Sequence, residues 1–207
     1  MNKVFLLTKK VFYQVSPWPF LIPIAGALLC VLIFVLRPDA LILQKPFLET
    51  VALILTGACF AVTAFRVKIE DNLLIRIFCL WTFIFFCREI HFVYTSDGVY
   101  IAALAIAIWI FIKRDALVEP LYSGSIKTWI LTSSWAYFLA ILVQRRFFKH
   151  LPLLPDAFYT FEHDIHVELE EFLEVVAHGI LLVTTFCGFN PARLRHRLRH
   201  PCRRRSW

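Results

Sequence analysis

Residues Glu162 to Phe189 read EHDIHVELEEFLEVVAHGILLVTTFCGF, and the two halves of this stretch suit different solvents. The first half carries His163, Asp164, His166, Glu168, Glu170, Glu171, Glu174 and His178, whereas the second is apolar apart from Thr184 and Thr185. The charged half continues straight into the apolar half, so the sequence predicts a helix that carries ionisable groups into a membrane span. Charges at such depth are costly and need partners or a function.

The chain around this stretch fits a membrane. Of its 207 residues, 59% are hydrophobic, 16% aromatic and only 18% charged, and the mean hydropathy is +0.69. A soluble domain is normally about a quarter charged. Several segments reach the roughly 20 apolar residues that a bilayer-spanning helix needs. The expected fold is all-α, a polytopic bundle of about six transmembrane helices near Pro19–Leu36, Pro46–Phe65, Leu73–Tyr94, Val99–Ile112, Thr128–Val143 and His166–Phe189. These form one expected domain at 17–190.

Before it, residues 1–16 set Lys3, Lys9 and Lys10 among Val4, Phe5, Leu6, Leu7, Val11 and Phe12, the pattern of an interfacial amphipathic segment. No cleavable signal peptide is expected, because the first apolar run lacks an A-x-A exit and is long enough to remain in the membrane. Arg66–Asn72 reads as a polar turn, Thr95–Gly98 as a tight turn, and 144–161 as the longest connection. In the fifth span Thr132, Ser133, Ser134, Trp135 and Tyr137 offer polar groups for contacts between helices.

The basic residues choose an orientation. Lys3, Lys9 and Lys10, then Arg66, Lys68 and Arg76, then Lys113, Arg114 and Lys127, then the tail at 191–207 all fall on one side of a six-span chain. By the positive-inside rule that side, with both termini, is cytoplasmic. Much of the net charge of +7 comes from the tail arginines, Arg193 to Arg205. Directly after a membrane helix such a run is expected to meet anionic lipid headgroups, and it lacks the interleaved aromatics of a nucleic-acid surface. The six cysteines form no CxxC pair and read as small apolar fillers. The short loops suit a cell membrane of bacterial type, the inner membrane.

In that topology three spans bring ionisable groups to the outer half of the bilayer. At about 1.5 Å per residue, Glu49 lies roughly 10 Å outward of the midplane, Arg88 and Glu89 about 7 to 8 Å, His91 about 11 Å, and Glu170, Glu171 and Glu174 about 12, 10 and 6 Å, with His178 near the middle. His163, His166, Glu170, Glu174 and His178 follow at steps of three or four, forming one helix stripe.

Three readings fit this cluster. In one, the charges form a structural network in a non-catalytic membrane subunit or scaffold, with Arg88 and Glu49 in ion pairs and Arg88 the expected partner of Glu171 or Glu174. In another, Glu89, His91, His166, Glu170 and His178 supply ligands for a divalent metal such as zinc. Glu171 and Glu174 are then the catalytic carboxylates of a hydrolase acting on a lipid or amphiphile. In the third, Glu171, Glu174 and His178 belong to a proton or ion pathway. No HExxH motif and no paired ExxH motif accompanies them. A membrane-protein partner or a second copy of the chain fits all three.

Overall fold

The computed structural model describes residues 15–70, 72–90, 95–113, 116–117, 126–146 and 156–187. The expected interfacial segment up to residue 14, His91 and the basic tail lie outside the described residues, as do the side chains of Glu162 and His163. Among the described residues all regular structure is helical. The long helices are α1 (Leu21–Leu36), α2 (Lys45–Ile69), α3 (Leu73–Glu89), α4 (Thr95–Ile112), α5 (Ile126–Gln144) and α6 (Asp156–Phe186). A single 3₁₀ turn, Trp18–Phe20, leads into α1, and another, Leu41–Leu43, precedes α2.

Three helical segments are long and apolar enough to cross a membrane: Trp18–Leu36, Lys45–Ile69 and Ile126–Gln144. The apolar part of α4, Ile101–Ile112, is shorter. At 17 residues, α3 falls below the roughly 20 that a full crossing takes, and α6 carries its charges in its first half. Leu21, Leu28, Leu32 and Val35 of α1 are exposed, as are Ile101, Leu104, Ile108 and Phe111 of α4. Steps of three, four and seven place each set along one helix face, and exposed apolar stripes of that size call for an apolar environment.

Several helices are longer than their hydropathy suggests. α2 continues to Ile69, so Arg66 and Lys68 stand in its last turn and not in a loop. Thr95–Gly98 opens α4. Thr, Ser and Asp favour helix starts as much as turns, so the turn signal there is a helix N-terminus. α6 begins at Asp156, ten residues before the expected His166. At α3, Asn72 caps the N-terminus, its side-chain oxygen accepting from the Leu74 amide at 2.9 Å.

The described contacts group into two compact units, Met1–Leu55 with Ile126–Thr184 and Thr56–Ser125 with Thr185–Trp207, and the division falls within α2 and α6. In the first unit α6 packs against α1 and α5 through small residues. Ala136, Ala177 and Ile180 form one buried cluster, edged by Ile22, Trp129, Tyr137 and Val176. Ala140, Val143 and Leu173 form another, edged by Ala27, Leu139 and Leu169. The Ser133 hydroxyl donates to the Ala177 carbonyl at 3.3 Å, and Trp18 meets Trp129 edge to face with centroids 5.9 Å apart. Gly26 lies so close to α6 that a Cβ on it would stand 3.1 Å from Val176 Cγ2. Without a hydrophobic drive between helices, such close fits and occasional polar links supply the association energy.

In the second unit the Thr63 and Thr82 hydroxyls, both buried, hydrogen-bond at 2.8 Å between α2 and α3. Phe60 packs on Phe83 and Phe86, and Phe86 covers Gly57. The buried Arg66 is the strongest polar element. Its Nε and one terminal nitrogen donate to the two oxygens of Glu70 at 2.8 and 3.1 Å. The other terminal nitrogen donates to the carbonyls of Thr185 and of Cys187, the latter at 2.9 Å. Those carbonyls end α6, where no intrahelical amide remains to bond them and the helix dipole is negative. Arg66 is 3% exposed and Glu70 7%.

Two outcomes follow for stability in detergent. Gly26→Leu forces α1 off α6 and costs about 1–3 kcal/mol as overpacking, whereas Gly179→Ala, with open space around its Cα, melts at or above the wild-type temperature. Arg66→Ala strands a buried carboxylate and costs about 3–5 kcal/mol. At about 2–4 °C per kcal/mol for a chain of this size, thermal unfolding monitored by fluorescence resolves both.

Candidate functional site

The continuous α6 sorts its polar residues by face. Asp164 and Val167 are exposed, while His166, Glu168, Glu170, Glu171 and Glu174 are half-buried and His178 is fully buried. The spacing of four between Glu174 and His178 puts them one turn apart on the same face, and a ligand atom of each lies within 4.8 Å of the other. His166 is twelve residues from His178, about 18 Å along a helix, and Glu170 is about 12 Å from it by the same rise. The expected stripe is therefore longer than the reach of one ion, and its buried end is Glu174 and His178.

His178 is held from α5. Its Nδ1 lies 2.6 Å from the Tyr137 hydroxyl oxygen, and the two rings meet edge-on with centroids 5.5 Å apart. Tyr137 reaches α6 because the Ser133, Ala136 and Ala140 positions beside it are small enough for close approach.

Nearer the start of α2, Glu171 forms an ion pair with Lys45 at 3.4 Å, and Lys45 also reaches Glu49 at 3.7 Å. One ammonium thus serves two carboxylates, with the Glu171 side chain only 18% exposed and that of Lys45 56%. Glu168 presents a different situation: its buried Oε2 has no hydrogen-bond partner among the described residues, and its backbone carbonyl accepts a long contact from the Cys30 thiol, 3.8 Å. Arg88 and Glu89 close α3 in the second unit, both half-buried.

Two participants were not in the expected set. Lys45 reads from sequence as a loop cation, and Tyr137 as one of several polar groups on the fifth span. The Lys45–Glu49 half of the first was accessible as a spacing of four on one helix. The link to Glu171 and the choice of Tyr137 depend on how α6 registers against its neighbours, which no local pattern encodes.

Chemically, an imidazole fixed at one nitrogen beside a carboxylate can hold a cation or pass a proton. Metal-ligating histidines ordinarily have their second nitrogen engaged in this way. Compared with known protein families, curated proteins and solved structures, the chain matches none.

The Lys45 bridge is too solvated to hold the fold. Exposed ion pairs contribute about 0–1 kcal/mol, so Lys45→Ala shifts the melting temperature by less than about 4 °C. Arg66→Ala, measured in parallel, shifts it several-fold further.

Proposed function

We propose that the chain is a six-span membrane protein with α1 to α6 as its spans and both termini cytoplasmic. Its buried polar face on α6, in the outer half of the bilayer, takes a divalent cation such as zinc and serves hydrolysis of an ester or amide bond in a lipid or other amphiphile. The observation behind this reading is the fully buried His178, held at Nδ1 by Tyr137 and one turn from Glu174. A polar pair set that deep in an apolar bundle is a functional-site hypothesis by default.

Glu174 and His178 are the α6 residues assigned to the ion, an oxygen and a nitrogen donor of the kinds zinc accepts. Bound there, the cation would lower the pKa of a coordinated water and polarise a carbonyl. Glu171, kept in place by Lys45, is placed to accept a proton as the second carboxylate. His166 and Glu170, nearer the outer interface, line the approach for a headgroup. The tail at 191–207 is assigned to anionic lipid on the cytoplasmic side.

One observation favours a second reading, a non-catalytic subunit or scaffold: Glu171 is paired with Lys45, as in a structural network. Metal analysis of the detergent-purified chain separates the two. About one equivalent of bound metal, lost in Glu174→Ala and in His178→Ala but kept in Lys45→Ala, is expected for the cation site. Metal-free wild-type protein, or unchanged metal in Glu174→Ala, overturns it. A stoichiometric membrane partner whose assembly alone responds to Glu174→Gln establishes the scaffold.

A further inference from the structure

We propose that Tyr137 is the positioning residue of His178, a hydrogen-bond partner that serves the imidazole both with and without the cation on Nε2. The proposal rests on the cation reading above, and its test separates the two.

The geometry is specific. The hydroxyl oxygen of Tyr137 is 2.6 Å from Nδ1 of a histidine with no solvent exposure. Tyr137 packs against the buried cluster of Ala136, Ala177 and Ile180. One residue before His178 on α6, the Ala177 carbonyl accepts from Ser133, one turn before Tyr137 on α5. The Ser133 link and the Tyr137–His178 contact both join α5 to α6, one residue apart on α6.

The choice of a hydroxyl has a chemical consequence. A neutral imidazole carries one N–H donor and one acceptor nitrogen, and a phenol both donates and accepts. Without a cation, the phenol is the more acidic partner and donates its O–H to Nδ1, which places the imidazole proton on Nε2. Coordination through Nε2 requires that proton to move to Nδ1. The hydrogen bond then reverses, with Nδ1–H donating to the phenol oxygen, while Tyr137 keeps its own proton, which rotates away from Nδ1. No net proton is gained or lost by the pair. A carboxylate or carbonyl at this place could serve only the second state, and an amide N–H only the first.

Nitrogen NMR of protein labelled at its histidine side chains, with His178 assigned by its loss in His178→Gln, reads the tautomer directly. In chelator-treated wild type a single tautomer with the proton on Nε2 is expected, converting to the Nδ1–H form when zinc is added. In Tyr137→Phe the ion-free protein shows mixed tautomers, and zinc affinity falls about 10- to 100-fold, the usual effect of losing a ligand's outer partner. Ser133→Ala, which removes only the neighbouring link, keeps the wild-type tautomer and affinity.

A Tyr137→Phe spectrum identical to wild type with unchanged zinc affinity overturns the proposal, and so does Ser133→Ala reproducing the Tyr137→Phe result. Wild type that ignores zinc while its single tautomer still depends on Tyr137 overturns the cation reading and upholds the positioning of the imidazole.

Discussion

α6 carries carboxylates, an imidazole and terminal carbonyls that its own amides cannot bond, among largely apolar neighbours, and a polar group buried there without a partner costs several kcal/mol. Much of the surrounding architecture answers that cost. In the first unit Lys45 meets Glu171, Tyr137 meets His178, and Ser133 meets a backbone carbonyl. In the second unit Arg66, itself neutralised by Glu70, reaches the last carbonyls of α6. Partners come from α2 and α5, so the sequence of α6 constrains residues far from it in the chain.

Meeting these demands requires close helix approach, which explains the distribution of small side chains. Ser133, Ala136 and Ala140 on α5, with Ala177 on α6, bring the two backbones near enough for a phenol to span to an imidazole. Gly26 does the same for α1, and Gly57 for α2 against Phe86. Bulky apolar residues such as Leu28, Leu32, Leu104 and Phe111 stand on the exposed faces of α1 and α4. Apolar side chains exposed along whole helix faces suit an apolar environment outside.

Much of the helical layout was legible in the sequence, because hydropathy and length govern it directly. α1 and α5 lie within two residues of their expected bounds. Helix ends were less legible: the Thr95–Gly98 turn signal and the charges at 66–70 both have two physical meanings, and the packing decides between them. Within the candidate site, Glu174 and His178 could be paired from sequence since both sit on one helix at a spacing of four. Arg66 reads as a loop cation because a positive charge near a span end usually faces water, and nothing local reveals that the end of α6 lies against it. Lys45 with Glu171 and Tyr137 with His178 were hidden for the same reason: each joins residues more than 40 positions apart, and only the register between helices selects the partner.

The proposed function requires α6 to lie in the membrane with its polar side turned inward. Spin labels placed singly at Val183 and Phe186, the exposed positions in its apolar half, test it in lipid vesicles by comparing collisions with molecular oxygen and with a water-soluble nickel chelate. High oxygen and low nickel accessibility at both positions, with greater nickel accessibility at Asp164, is the predicted result. Nickel accessibility at Val183 equal to that of a label on a water-exposed loop would contradict it.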